Sequence, residues 1–156
     1  MQVHSLDFND FHEENYSLIG IHTALEDFKL AYLLNKSLNT SFYKSREDLN
    51  FENQRKKASF SIFNYTSVKY GFDWFLIANS SKRENQTESN ELLLISETKT
   101  YLIPEKKKVD FFLKISGDLA YSFVLEIVDK IKKIDQVITS YSIDKNTLKS
   151  KDFLIF

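Results

Sequence analysis

The 156-residue chain has no cysteine, a single proline and three glycines. Without cysteine there is neither a disulfide framework nor a thiolate zinc site. Gly20, Gly71 and Gly117 stand too far apart to share one phosphate-cradling loop, which excludes P-loop and Rossmann-type turns. Collagen-like repeats fail for the same shortage. Charge of one sign is also missing. The 21 Lys and Arg residues face 22 Asp and Glu, a formal net charge of −1, far from the excess of a polyanion-coating protein. No apolar run reaches the ~18–20 residues that span a bilayer. The longest, Leu119 to Ile134, is broken by Glu126, Asp129, Lys130, Lys132 and Lys133. The stretch from Met1 to Glu14 is acidic and carries no cationic segment leading into an apolar one, so no secretory signal is read there. The expectation is a soluble protein of a reducing cytoplasm with no membrane partner. Asn-x-Ser/Thr triplets, Asn79 among them, carry no meaning in that setting.

What is present is aromatic. Fourteen Phe, eight Tyr and one Trp sit within a 42% hydrophobic composition, enough to fill one core at this length. Residues 1–14 read as a loosely held arm and 15–156 as a single α+β domain. Tyr16 to His22 is short, apolar and β-prone. Thr23 with Glu26 three residues on forms a capping box for a helix from Ala24 to Leu38. Leu25, Phe28, Ala31, Tyr32, Leu34 and Leu38 give that helix its stripe, and Leu30 and Leu33 widen it beyond one face, so cover on two sides is expected. Phe42 to Lys44 starts a short strand, and Ser45 to Lys57 reads as loop or frayed helix. Ala58 to Tyr65 and Tyr70 to Asn79 read as aromatic strands. Ser80 to Asn90 is polar and solvated, and Leu92 to Ile103 holds one or two strands ended by Pro104.

The last third has a stronger pattern. Lys108 to Ser116 predicts a strand with Val109, Phe111, Leu113 and Ile115 on one face. Gly117-Asp118 supplies a turn and an N-cap for a helix from Leu119 to Lys133, striped by Ala120, Phe123, Val124, Ile127, Ile131 and Ile134. Gln136 to Ser142 is another strand, and Asp144 caps a short terminal helix through Lys149. These elements predict an α+β two-layer sandwich: a mixed or mainly antiparallel sheet of about five to seven strands with two main helices on one face.

Ile103-Pro104-Glu105, three lysines, then Val109-Asp110-Phe111 resembles the signature of the IPExxxVDY family, small proteins of Bacteroidetes-type bacteria. Leu18 to Ile21, Leu34 to Leu38 and Leu148 to Phe156 are also similar to that family, so the resemblance spans nearly the whole chain. Phe111 stands where the family has Tyr, which implies a packing role at that position rather than hydroxyl chemistry.

Two roles suit the motif residues Ile103, Pro104, Glu105, Val109, Asp110 and Phe111: a turn that sets strand register, or a contact surface. Lys106, Lys107 and Lys108 make an exposed basic tip able to touch phosphate or an acidic partner, and Lys56 and Lys57 extend the candidate basic surface. Glu105-Lys106-Lys107 formally contains the E-x-K of metal-dependent nucleases, yet no upstream carboxylate can be singled out to share a Mg²⁺ ion. His22 ends a strand and reads as a surface or satisfied core histidine. The serines lack a base or a nucleophile elbow. No catalytic residue, metal site or cofactor is therefore predicted. The expected function is that of a non-enzymatic cytosolic binding or adaptor protein with a protein partner or self-association, and RNA binding through the lysines is the alternative.

Overall fold

The computed structural model describes residues 15–53, 56–83 and 98–156. Ten strands and two α-helices are seen there: β1 (Tyr16–Thr23), α1 (Asp27–Leu38), β2 (Tyr43–Lys44), β3 (Leu49–Asn53), β4 (Lys56–Phe60), β5 (Ile62–Thr66), β6 (Asp73–Ala78), β7 (Ser80–Arg83), β8 (Thr98–Tyr101), β9 (Phe111–Ser116), α2 (Tyr121–Lys132) and β10 (Val137–Ile143). Six strands form one sheet in the order β10-β1-β9-β6-β5-β2. Every neighbouring pair is antiparallel. β3 pairs with β4 and β7 with β8 in two small antiparallel ribbons. The fold is α+β, with both helices packed on one face of the six-stranded sheet.

Each helix buries the face its spacing dictates. In α2, Val124, Ile127, Val128 and Ile131 recur at i, i+3, i+4 and i+7 and are buried. In α1 the buried residues are Leu30, Ala31 and Leu34. They meet Ile19, Ile21, Phe63, Trp74, Leu76, Leu113 and Ile115 from the sheet. The opposite face is apolar too, through Leu18, Ile62, Ile77, Phe112 and Ile143. Sheets with one wet face alternate polar and apolar residues, whereas a strand buried on both sides does not. β9 is of the second kind, since Phe111 to Ile115 are all buried. Among the described residues no α-helix covers its second face. Phe60, Leu102, Ile103, Val109, Leu148 and Leu154 cover it, and most come from irregular chain.

Lys114 lies within that second face and is fully buried. Its ammonium donates to the Leu154 carbonyl at 2.6 Å and sits over the rings of Phe156 and Tyr16 at 4.5 and 4.8 Å. Desolvation of a cation is offset here by a charge-assisted hydrogen bond and by ring quadrupoles. The lysine thereby ties the last residues of the chain to the central strand.

Several local expectations are corrected. The capping box does not form. Thr23 stays in β1, where its hydroxyl donates to the Gln136 carbonyl at 2.8 Å, and α1 starts at Asp27 behind an N-cap, Glu26, that makes no side-chain bond. The Thr23 hydroxyl oxygen also accepts from the Leu25 amide at 3.1 Å in a local turn, while the Thr23 amide that Glu26 would have bonded donates to Asp110. α2 begins at Tyr121 with Ala120 as its N-cap, so Asp118 does not cap it, and Phe123 stays 36% exposed while Val128 fills the stripe. Part of Ser45 to Lys57 is the β3–β4 ribbon rather than loop or helix. Ala58 to Tyr65 is two strands split at Ser61, whose hydroxyl bonds the Asp27 carboxylate and accepts from Lys44. Ser80 to Asn90 begins as β7, and Leu92 to Ile103 contains β8. Residues 84–97 and the arm at 1–14 lie outside the described residues. The segment after β10 forms two 3-10 turns, Lys145–Thr147 and Lys151–Leu154, and Asp144 caps the first by accepting from the Asn146 amide.

Leu154 is fully buried, so the tail carries core energy. Leu154→Ala is expected to lower unfolding free energy by about 2–4 kcal/mol. Urea denaturation followed by the fluorescence of Trp74, the one tryptophan, measures it.

Candidate functional site

The family-like segment begins where β8 ends. Ile103 is buried, Pro104–Lys106 form a 3-10 turn, and Val109 is buried again before β9 starts at Phe111. Val109 was expected on the same face as Phe111, and it is not. The Asp110 amide donates to the Ile21 carbonyl at 3.0 Å, while Phe111 is the register partner of Ile21. Two residues meeting one is the geometry of a β-bulge, which moves Val109 to the opposite face. Val109 packs with Phe112 and Ile103, whereas Phe111 packs under the helices.

One side chain holds this turn in place. Asn79, fully buried at the end of β6, donates from Nδ2 to the carbonyls of Lys106 and Val109, both at 2.8 Å. Its Oδ1 accepts from the Ile103 amide at 2.9 Å. Its backbone accepts from Leu102 at 2.7 Å and donates to Asp110 at 3.0 Å. Buried loops fail when their peptide groups are left unpaired, and here one carboxamide pairs three of them.

Two carboxylates complete the tethering. Asp110 Oδ2 accepts from the Thr23 amide at 2.8 Å, closing the end of β1. Glu105 accepts from the Ser150 amide at 2.8 Å and from its hydroxyl at 3.0 Å, which joins the turn to the C-terminal segment. Burial acts to raise the Glu105 pKa. The hydrogen bonds from its own backbone, from Ser150 and from Lys149 act the other way and prevail, holding the carboxyl below its ordinary range.

Lys106, Lys107 and Lys108 ride on this fixed turn. Lys107 and Lys108 are exposed and Lys106 is half-buried. None forms an ion pair among the described residues. Lys107 lies 5.7 Å from the centre of the Tyr101 ring. Together with Pro104, Glu105, Val109, His22 and Tyr141 the three lysines line a cleft of about 390 Å³. His22 Nε2 and the Tyr141 hydroxyl share a hydrogen bond of 2.9 Å. Burial pushes the Tyr141 phenol up, so it keeps its proton through neutral pH. Gly20 lies against Val109 and Tyr141, two of the lining residues. A Cβ there would stand 2.9 Å from Ile143 Cδ1, 3.4 Å from Val109 Cγ2 and 3.5 Å from Tyr141 Cε2, so glycine lets these side chains close across β1.

The remaining basic residues are elsewhere. Lys56 and Lys57 belong to β4, in register with Asn53 and Glu52. Lys132 and Lys133 end α2, on the opposite side of the sheet from the motif turn. Sequence reasoning singled out the lysines, read His22 as a surface or satisfied core histidine, and did not single out Asn79, Tyr141 or Ser150. The available signal for Asn79 was its position, an uncharged polar residue closing an aromatic strand directly before a turn-rich region. No three side chains of metal-ligating type converge among the described residues.

The outer surface of the helical layer is a second candidate. Phe28 and Tyr32 are 55% and 59% exposed one turn apart on α1, and on α2 Tyr121 is 65% exposed one turn before Leu125, with Phe123 exposed at the other edge of the buried stripe. The breadth of the α1 stripe thus leaves aromatic rings in water rather than under a second cover. No family model, curated protein or solved structure matches this chain. No helix among the described residues is long and apolar enough to cross a membrane.

Asn79→Ala is expected to cost about 3 kcal/mol, because three backbone groups lose their partner at once. Chemical denaturation with Trp74 as reporter checks it. The lowered Glu105 pKa makes its contribution to stability complete above the ordinary carboxyl range, and that contribution is lost as pH falls through the folded value. Amide exchange at Ser150 is therefore expected to accelerate relative to neighbouring amides on acidification, and Glu105→Gln is expected to flatten that response.

Proposed function

We propose that this chain is a non-enzymatic cytoplasmic binding protein that engages another protein through the outer surface of its helical layer. The supporting observation is the set of rings left in water on α1 and α2, above all Phe28, Tyr32 and Tyr121. Scattered surface apolar residues need no explanation, but aromatic residues grouped on one layer are the side chains that carry binding energy at interfaces. Glu26, Lys29, Lys36, Glu126, Asp129 and Lys130 are exposed on the same two helical segments and supply charges of both signs to the rim of a contact. Membership of the IPExxxVDY family belongs to the same proposal and rests on Ile103 to Phe111 and its flanks.

RNA binding has less support. It needs Lys56, Lys57, Lys106, Lys107, Lys108, Lys132 and Lys133 along one track, and the motif lysines and the α2 lysines lie on opposite faces of the sheet.

The test is affinity capture from native cytoplasm, with and without nuclease, by wild type and by a Phe28→Ser/Tyr32→Ser/Tyr121→Ser variant. A stoichiometric protein that survives nuclease and is captured at least about tenfold less well by the variant is the expected result. Loss of the captured protein on nuclease treatment, or equal capture by the variant, overturns the proposal. Sedimentation velocity of both forms separates a different protein from a second copy of this chain.

A further inference from the structure

We infer that the cleft between the motif turn and the ends of β1 and β10 binds the phosphate-monoester group of a small molecule. This site lies on the face of the sheet away from the helices, so it is independent of the protein contact proposed above.

Four observations carry it. The cleft, at about 390 Å³, falls in the range of small-ligand sites, roughly 300–1,000 Å³. Its lining is cationic, with Lys106, Lys107 and Lys108 free of ion pairs among the described residues. The lining carboxylate, Glu105, has both oxygens engaged by Ser150. Its hydrogen bonds point it to the C-terminal segment and it forms no ion pair with the lysines, so its single negative charge against three ammonium groups leaves the lining net positive. The frame is also rigid. Asn79 fixes the carbonyls at both ends of the lysine run, and the Val109 amide donates back to the Lys106 carbonyl at 3.0 Å. A fixed backbone spares the entropy of ordering the turn when an anion arrives, although the lysine side chains themselves still have to settle.

The donor set selects the anion. Ammonium groups are compact point charges whose donors rotate, and they suit a tetrahedral dianion. A planar carboxylate is best met by the fork of an arginine, and no arginine lines the cleft. A nucleic-acid backbone needs a continuous basic track, whereas these three lysines border one open cleft that also holds a polar pair, His22 and Tyr141. Pro104 and Val109 provide apolar wall for the organic part of the ligand.

The full chain, isotopically labelled, is titrated with glycerol 3-phosphate, with inorganic phosphate and with succinate at constant ionic strength, and the amide and side-chain resonances are followed by NMR. The expected result is saturable shifts centred on His22, Lys107, Lys108 and Val109 with glycerol 3-phosphate, weaker saturation with phosphate alone, and at least about tenfold weaker binding of succinate. Lys107→Gln/Lys108→Gln is expected to weaken glycerol 3-phosphate binding by at least about tenfold. Both positions are solvent-facing, and unchanged Trp74 emission confirms that this variant stays folded. Tyr141→Phe is expected to weaken binding by about threefold or more. Shifts that do not saturate, shifts that scatter over the lysines of the whole surface, binding indifferent to Lys107→Gln/Lys108→Gln, or succinate binding as tightly each overturn the inference. Equal saturation by inorganic phosphate alone overturns the small-molecule part of it.

Discussion

Among the described residues, the carboxamide of Asn79 holds together the side of the sheet that no α-helix covers. A sheet apolar on both faces needs two covers, and the two α-helices supply only one of them. The second is irregular chain, whose peptide groups have no ladder to join. Buried without partners, each such group costs on the order of 1–3 kcal/mol. Asn79 pairs three of them, at Ile103, Lys106 and Val109, and so turns a loop into a cover. The position of the lysine turn, the bulge at Asp110 and the closure of Val109 over Gly20 all follow from that anchoring.

Two charged side chains extend the same logic to the C-terminal segment. Glu105 reaches from the turn to Ser150, and Lys114 reaches from the central strand to the Leu154 carbonyl among aromatic rings. Turn and tail therefore support one another, and the cover behaves as one piece. Its outer rim is cationic at the lysine run, while the helical layer on the other side presents aromatic rings. One small α+β scaffold thus shows two chemically distinct surfaces. Each is positioned by a part of the core that the other does not share.

Local pattern made much of the fold legible. The i, i+3, i+4, i+7 spacing in α2 is strong enough to identify the buried face, although Phe123 was drawn into it and Val128 left out. The aromatic strands around Trp74 and the apolar β9 were equally readable. Failures cluster where a distant partner decides. Thr23 has the composition of a helix cap, yet bonds to Gln136 and Asp110 hold it at the end of β1. Ser45 to Lys57 has no steady period because a two-stranded ribbon outside the main sheet does not impose one. Val109 follows a period-2 run until one inserted residue turns it over.

The amino-acid sequence by itself determined the class of the protein, its two helices, most of its strands and the presence of a lysine-bearing turn. These depend on periodicity and turn chemistry, which act over a few neighbouring residues. Only the tertiary structure decided that His22 meets Tyr141 across 119 positions, that Asn79 pairs the motif backbone, and that Glu105 bonds Ser150 rather than pairing with the adjacent lysines. Such pairings depend on strand order and register, and register is set by how whole faces pack rather than by any short stretch of chain.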